Sequence, residues 1–204
     1  MLYDDFMNKD MKEEAKRLFE GNERFRASGG QNYRELVRAQ HPESVVVACS
    51  DSRVAPEIIF NAKLGELFVV RTAGEVVDAA ALASIEYAVE HLGTKHIAIV
   101  AHTRCGAVTA AQQYLLTMMR EGAEKTKESA KEENSLDKMI KDIARNISNK
   151  KDLSDLNAAI IDNAIAQRNA MMKSEIISKK LKEGLVISLL LYDIETAQVS
   201  SIDK

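Results

Sequence analysis

The side chains able to bind a soft metal or act as a thiol nucleophile are few in this chain of 204 residues: two cysteines and four histidines. Three of them fall in two short strings. His102-Thr103-Arg104-Cys105 sets an imidazole and a thiol three positions apart, and where a strand meets a helix both can face one ion. Cys49 is the second thiol. A pair of cysteines by itself permits a disulfide, a metal site, a nucleophile or two inert buried thiols. A disulfide would leave the histidine without a role and suits a reducing compartment poorly. With Cys49 as the third donor the set becomes Cys2His, which suits zinc in its catalytic form, where three protein ligands leave the fourth position for water. Gly106 to Leu116 reads as the start of a helix, whose N-terminal dipole is expected to favour Cys105 as thiolate.

The string Cys49-Ser50-Asp51-Ser52-Arg53 adds charged groups beside the first thiol. An Asp and an Arg this close can be a surface ion pair worth little. On a turn that carries a candidate ligand they read instead as groups that orient what the metal binds. Arg53 is expected to keep Asp51 ionised, so that the carboxylate can accept a hydrogen bond from metal-bound hydroxide. His41, before Pro42, and His91 and His96, on either side of Gly93, have no such company. They read as cap, surface or core histidines, with His41 or His91 a conceivable proton shuttle.

These side chains need a scaffold, and the hydrophobic pattern supplies one. Ser44 to Ala48 is a short β-branched run ending at Cys49, Leu67 to Val70 is a second and Ile97 to Ala101 a third, with an apolar-periodic helix from Ala80 to Leu92 between the last two. Strands alternating with helices mark a parallel sheet. In such sheets ligands bind beyond the carboxyl ends of the strands, where Cys49, Arg71 and His102 all fall. Lys12 to Ala27 reads as an amphipathic N-terminal helix ended by Gly29-Gly30. Leu136 to Ile147 and Leu156 to Ile165 carry helical spacing, with Ser154 or Asp155 as the cap of the second. Glu121 to Asn134 is charged and too poor in apolar residues to form a core. Met171-Met172 reads as core or helix surface. After Gly184 the run LVISLLLYDI is a strand, and Gln198 to Ile202 completes a hairpin. The expected fold is α/β: a central, mostly parallel β-sheet flanked by helices, with a C-terminal hairpin strand and an N-terminal helical arm.

A length of 204 residues with 46% hydrophobic content predicts one domain over 1–204, with 1–30 as the arm and 120–152 as a charged helical insertion. A net charge of -3 with interspersed signs argues against nucleic acid and anionic membranes as partners. The acidic, mixed N-terminus lacks the features of a secretory signal, and the apolar run at Leu185 to Tyr192 falls short of the roughly 20 residues of a membrane helix. A cytoplasmic protein is the expectation.

The two strings are also the motifs of a known family. The chain resembles the β-class carbonic anhydrases, whose CxDxR motif stands here as Cys49-Ser50-Asp51-Ser52-Arg53 and whose HxxC motif stands as His102-Thr103-Arg104-Cys105. Further likeness runs through Leu67-Phe68-Val69-Val70-Arg71, Ile85-Glu86-Tyr87-Ala88-Val89 and Leu191-Tyr192-Asp193. The resemblance implies reversible hydration of carbon dioxide by zinc-bound hydroxide, with one zinc per chain on Cys49, His102 and Cys105 and Asp51 with Arg53 as a catalytic dyad. It also implies that Gln40 donates to a substrate oxygen and that Phe68 and Tyr87 line the pocket. The expected assembly is a homodimer or homotetramer in which Gln40, Phe68 and Tyr87 act across a subunit interface. Thr72 and Glu75 in Arg71-Thr72-Ala73-Gly74-Glu75, and Ala101 before the histidine, depart from the family pattern, and Glu75 is expected to bring an extra carboxylate near the cleft. The competing expectations are hydrolysis of carbon disulfide or carbonyl sulfide, and a non-catalytic zinc-containing bicarbonate sensor.

Overall fold

The computed structural model describes residues 13–28, 36–121, 134–148 and 153–203. Most of the charged segment Glu121 to Asn134, and the Gly29-Gly30 helix stop, lie outside them. The chain divides into two compact units, Met1–Ala39 and Gln40–Lys204. The first holds helix α1 (Glu13–Ala27), on which Lys16 and Glu20, and Glu13 and Arg17, pair at helical i,i+4 spacing while Leu18 is exposed.

The second unit is the α/β fold that the pattern predicts. Its five strands are β1 (Ser44–Cys49), β2 (Leu67–Thr72), β3 (His96–His102), β4 (Val186–Tyr192) and β5 (Val199–Ser201), in the order β2-β1-β3-β4-β5. The first four are parallel, and β5 returns antiparallel on β4 as the expected hairpin. The helices are α2 (Pro56–Ile59), α3 (Ala79–His91), α4 (Gly106–Glu121), α5 (Ser135–Asn146), α6 (Leu156–Met171) and α7 (Glu175–Lys182). Side chains of a strand alternate between faces, and the two faces here are clothed unequally. Val45, Val47, Ile97, Ile99 and Leu189 enter a core built with Ile85, Val108, Ile143, Ile160 and Ile177 from α3 to α7. Val46, Ala48, Ala98 and Val100 face the other way, into a smaller cluster with Val54, Ile59, Phe60 and Ile194.

Side-chain caps start the helices where the sequence breaks its apolar rhythm. Asp78 accepts from Ala81 N at 2.8 Å, Asn134 from Asp137 N at 2.9 Å and Asp155 from Ala158 N at 2.9 Å, each satisfying one orphan donor of the first turn. Asp155 rather than Ser154 is therefore the cap of α6. Met171 is buried and Met172 half-exposed, so the pair divides between core and surface.

Candidate metal centre

The strand order places the site. The chain leaves β1 toward β2 on one side and returns to β3 on the other, so β1 and β3 border the point where the winding reverses. Loops diverge there and open a crevice at the carboxyl edge. Cys49 is the last residue of β1 and His102 the last of β3, and Cys105 follows three residues on, just before α4 begins. Their ligand atoms all lie within 4.8 Å of one another, and all three residues are buried.

The thiols are free, with Sγ atoms 4.0 Å apart, about twice the length of a disulfide bond. His102 Nδ1 lies 2.9 Å from the Thr103 carbonyl. A carbonyl only accepts, so Nδ1 carries the proton and Nε2 presents a lone pair. That Nε2 is buried with no hydrogen-bond partner, an arrangement that costs free energy unless something else takes the lone pair. Two thiolate-forming sulfurs and one imidazole nitrogen with its proton fixed on the far side fit a zinc ion.

In the metal-free chain the contact between the two sulfurs drives their acidities apart. Cys105 stands at the start of α4, and its thiol is pushed up by its contact with Cys49 and by burial. Cys49 is the sulfur held well below the ordinary thiol range, first by that contact with Cys105 and also by the Gly74 N–H, which donates to its Sγ at 3.3 Å.

Asp51 and Arg53 are locked together. Arg53 Nε donates to Asp51 Oδ1 at 2.9 Å and Nη2 to Oδ2 at 2.7 Å, while the Arg53 backbone N–H adds a third bond to Oδ1 at 3.0 Å. This two-pronged grip, reinforced from the backbone, keeps the Asp51 carboxyl well below the usual carboxylate range. Arg71, on β2, braces the same loop by donating Nε to the Cys49 carbonyl at 3.1 Å and Nη2 to the Asp51 carbonyl at 2.7 Å. The sequence places Arg71 at the right edge of the sheet but gives no sign that it holds backbone.

Residues 44–199 match the model of the family described as carbonic anhydrase. The chain belongs to the β-carbonic anhydrase family. A relative from Pseudomonas aeruginosa, "Carbonic anhydrase", is 32% identical over 85% of this chain and 79% of its own. "Carbonic anhydrase 2" of Mycobacterium tuberculosis is 50% identical over 103 residues, which are 47% of this chain; the match spans half the length of that relative. Among solved structures, the two tetrameric β-carbonic anhydrases of Sordaria macrospora share the fold, with a TM-score of 0.71 at 24% identity over 93% of this chain and 96% of theirs.

Membership directs attention to Gln40, Phe68 and Tyr87, which the structure does not bring to the Cys49–His102–Cys105 cluster. Phe68 pairs with Val45 at the opposite end of β1 from Cys49, which pairs with Thr72. The two positions are four residue steps apart along the strand, roughly 13 Å. Phe68 and Tyr87 do meet each other, with ring centroids 6.4 Å apart. Tyr87 is 47% exposed and Gln40 is exposed.

Glu75 is the departure from the family pattern with the largest physical consequence. Its side chain is buried, Oε1 accepts from Asn163 Nδ2 at 3.0 Å, and Oε2 has no partner. Burial, and next the negative charge of Cys49, push the carboxyl up to about 8. The expected extra carboxylate is therefore a protonated carboxyl at neutral pH before metal binds. Asn163 has no counterpart in the sequence reading. Its one signal is a pair of amides, Asn163 and Gln167, at i,i+4 on the buried side of α6, beside Ala159, Ile160 and Ala164.

A cavity of about 640 Å³ lies elsewhere, against α6, β4 and β5. Its charged residues, Arg168 and Asp203, are bound to each other at 2.8 Å, and it is lined by no cysteine or histidine. The metal-ligating side chains lie together at the Cys49–His102–Cys105 cluster instead.

Proposed function

We propose that this chain catalyses the reversible hydration of carbon dioxide to bicarbonate and a proton, with one zinc ion held by Cys49, His102 and Cys105. The observation that carries the proposal is the approach of Asp51 Oδ2 to within 4.0 Å of the lone-pair nitrogen of His102 while Arg53 grips both carboxylate oxygens. Family membership supplies the reaction class.

Zinc bound there would act as a Lewis acid that makes water acidic near neutral pH. Asp51 stays anionic because Arg53 holds it, so it accepts a hydrogen bond from the attacking oxygen and turns a lone pair toward the substrate carbon. Arg53 aims that carboxylate and withholds it from the metal. The Gly74 N–H and the Thr103 carbonyl fix the rotamers of Cys49 and His102. Gln40 offers a neutral amide donor to a bicarbonate oxygen, and Phe68 with Tyr87 an apolar wall suited to carbon dioxide.

Those three residues reach the crevice only from another subunit, so the working form is a homodimer or homotetramer. The exposure of Gln40 and Tyr87 and the separation of Phe68 from Cys49 along the sheet support this, and the Sordaria macrospora enzymes are tetrameric. A monomer by light scattering contradicts it. Among the described residues no helix is long and apolar enough to cross a membrane, and two free cysteines suit a reducing compartment; we place the protein in the cytoplasm. Stopped-flow assays of the zinc-loaded protein against carbon dioxide and carbonyl sulfide test the function. Rapid hydration of carbon dioxide with slow turnover of the sulfide is expected, and the reverse order overturns it.

A further inference from the structure

Behind the cluster lies a polar network that the proposed chemistry does not use. Asn163 is fully buried on α6. Its Nδ2 donates to the Gly74 carbonyl at 2.8 Å and to Glu75 Oε1 at 3.0 Å. Its Oδ1 accepts from Asn146 Nδ2 at 2.9 Å and from Gln167 Nε2 at 3.2 Å. Gln167 Oε1 in turn accepts from Val77 N at 2.8 Å. Both amide hydrogens and both lone pairs of Asn163 are thus satisfied, and the Gly74 carbonyl, which can only accept, fixes which way round the amide sits.

The segment this network grips is held in an uncommon conformation. Gly74 and Glu75 both have left-handed backbone, with φ of 68° and 45°. Two consecutive residues in that region persist only where their surroundings hold them, the more so because the second has a side chain. The purpose of the turn is visible at its amide: Gly74 N donates to Cys49 Sγ at 3.3 Å. The carbonyl of the same residue is the one that Asn163 holds. One side chain of α6 therefore holds the peptide unit that follows the one whose N–H touches the sulfur.

We propose that Asn163 is a positioning residue for Cys49, fixing the left-handed Gly74-Glu75 turn so that the Gly74 N–H bonds the sulfur and strengthens its hold on the metal. Groups that orient ligands from behind commonly change metal affinity by about 10- to 100-fold when removed. The inference rests on the zinc-site reading above, and the two fail differently.

The test is zinc affinity by competition with a chromophoric chelator, together with the sulfur-to-metal charge-transfer band of the cobalt-substituted protein. Asn163→Asp keeps the shape of the side chain but loses both donors and sets an acceptor against the Gly74 carbonyl. It is expected to bind zinc about 10- to 100-fold more weakly and to shift the cobalt band. Glu75→Gln, which keeps an acceptor for Asn163, should remain near the wild type. Gln112→Met is the stability control, because Gln112 donates to the Leu153 carbonyl at 3.1 Å and has no bond to this network. If Asn163→Asp does not fold, Asn163→Ser removes the same two donors without adding charge and is read by the same criteria. A folded Asn163 variant with wild-type affinity and an unshifted band overturns the proposal. Equal weakening in Gln112→Met also overturns it, since the effect is then general loss of stability. A wild-type chain that binds no zinc overturns the site reading itself.

Discussion

Arg53 holds both oxygens of Asp51, at 2.9 Å and 2.7 Å, and in that grip Asp51 Oδ2 stands 4.0 Å from His102 Nε2. The carboxylate is close enough to compete for whatever His102 binds, and the guanidinium is what withholds it. Arg53→Ala should release Asp51 onto the metal. Hydration activity is expected to fall on the order of 10- to 100-fold with zinc content unchanged. Metal analysis alongside stopped flow checks this, and an active variant would show that the pair is structural.

Asp51→Asn separates the charge of Asp51 from its shape. The amide leaves Arg53 without its ionic partner and turns one acceptor into a donor. Turnover should drop by about 100-fold or more while zinc stays bound. Near-wild-type hydration removes Asp51 from the mechanism.

Glu75 makes a pH prediction for the metal-free protein. Its carboxyl is raised by burial from 4.5 to about 8, so between those values the folded state binds more protons than the unfolded state. Stability attributable to Glu75 is fully present below about 4.5 and declines as pH rises toward about 8. The groups that bear on it are Cys49 and His102 through their charges and Asn163 through its hydrogen bond. Glu75→Gln should flatten that decline, by on the order of a few kcal/mol across the window. Denaturant melts of both metal-free proteins at several pH values measure the difference, and parallel curves refute it.

At Gly74 space and backbone both exclude a side chain. An added Cβ would meet Ile143 Cδ1 at 2.9 Å and Ala107 Cβ at 3.2 Å, at a φ of +68°. Gly74→Ala should destabilise the fold by about 1–3 kcal/mol and weaken zinc binding, because the Gly74 N–H must move away from Cys49. Unchanged melting and affinity would show that the turn is free to adjust.

The sequence declares whatever repeats or clusters along the chain. Short apolar runs rich in Val and Ile announce β1 and β3, and the donors at their ends follow from the rule for parallel sheets. Asp51 and Arg53 are readable because only Ser52 separates them. What escaped notice depends on distance in sequence. Arg71 and the Cys49 carbonyl are 22 residues apart, and Asn163 and the Gly74 carbonyl 89; no local pattern couples them. The pairing of the two sulfurs is hidden for a related reason. The start of α4 is legible at Gly106, whereas the contact between the Cys49 and Cys105 sulfurs exists only once β1 and β3 lie side by side. Phe68 and Tyr87 are singled out by family resemblance alone, since nothing in the spacing of either residue points to a pocket.

The most direct test of the account titrates zinc into metal-free protein and follows carbon dioxide hydration at each addition. If Cys49, His102 and Cys105 form the one working site, the rate rises linearly and stops at about one zinc per chain, and Cys105→Ser gives neither tight binding nor activity. Full hydration activity in protein stripped of metal, or in Cys105→Ser, contradicts it.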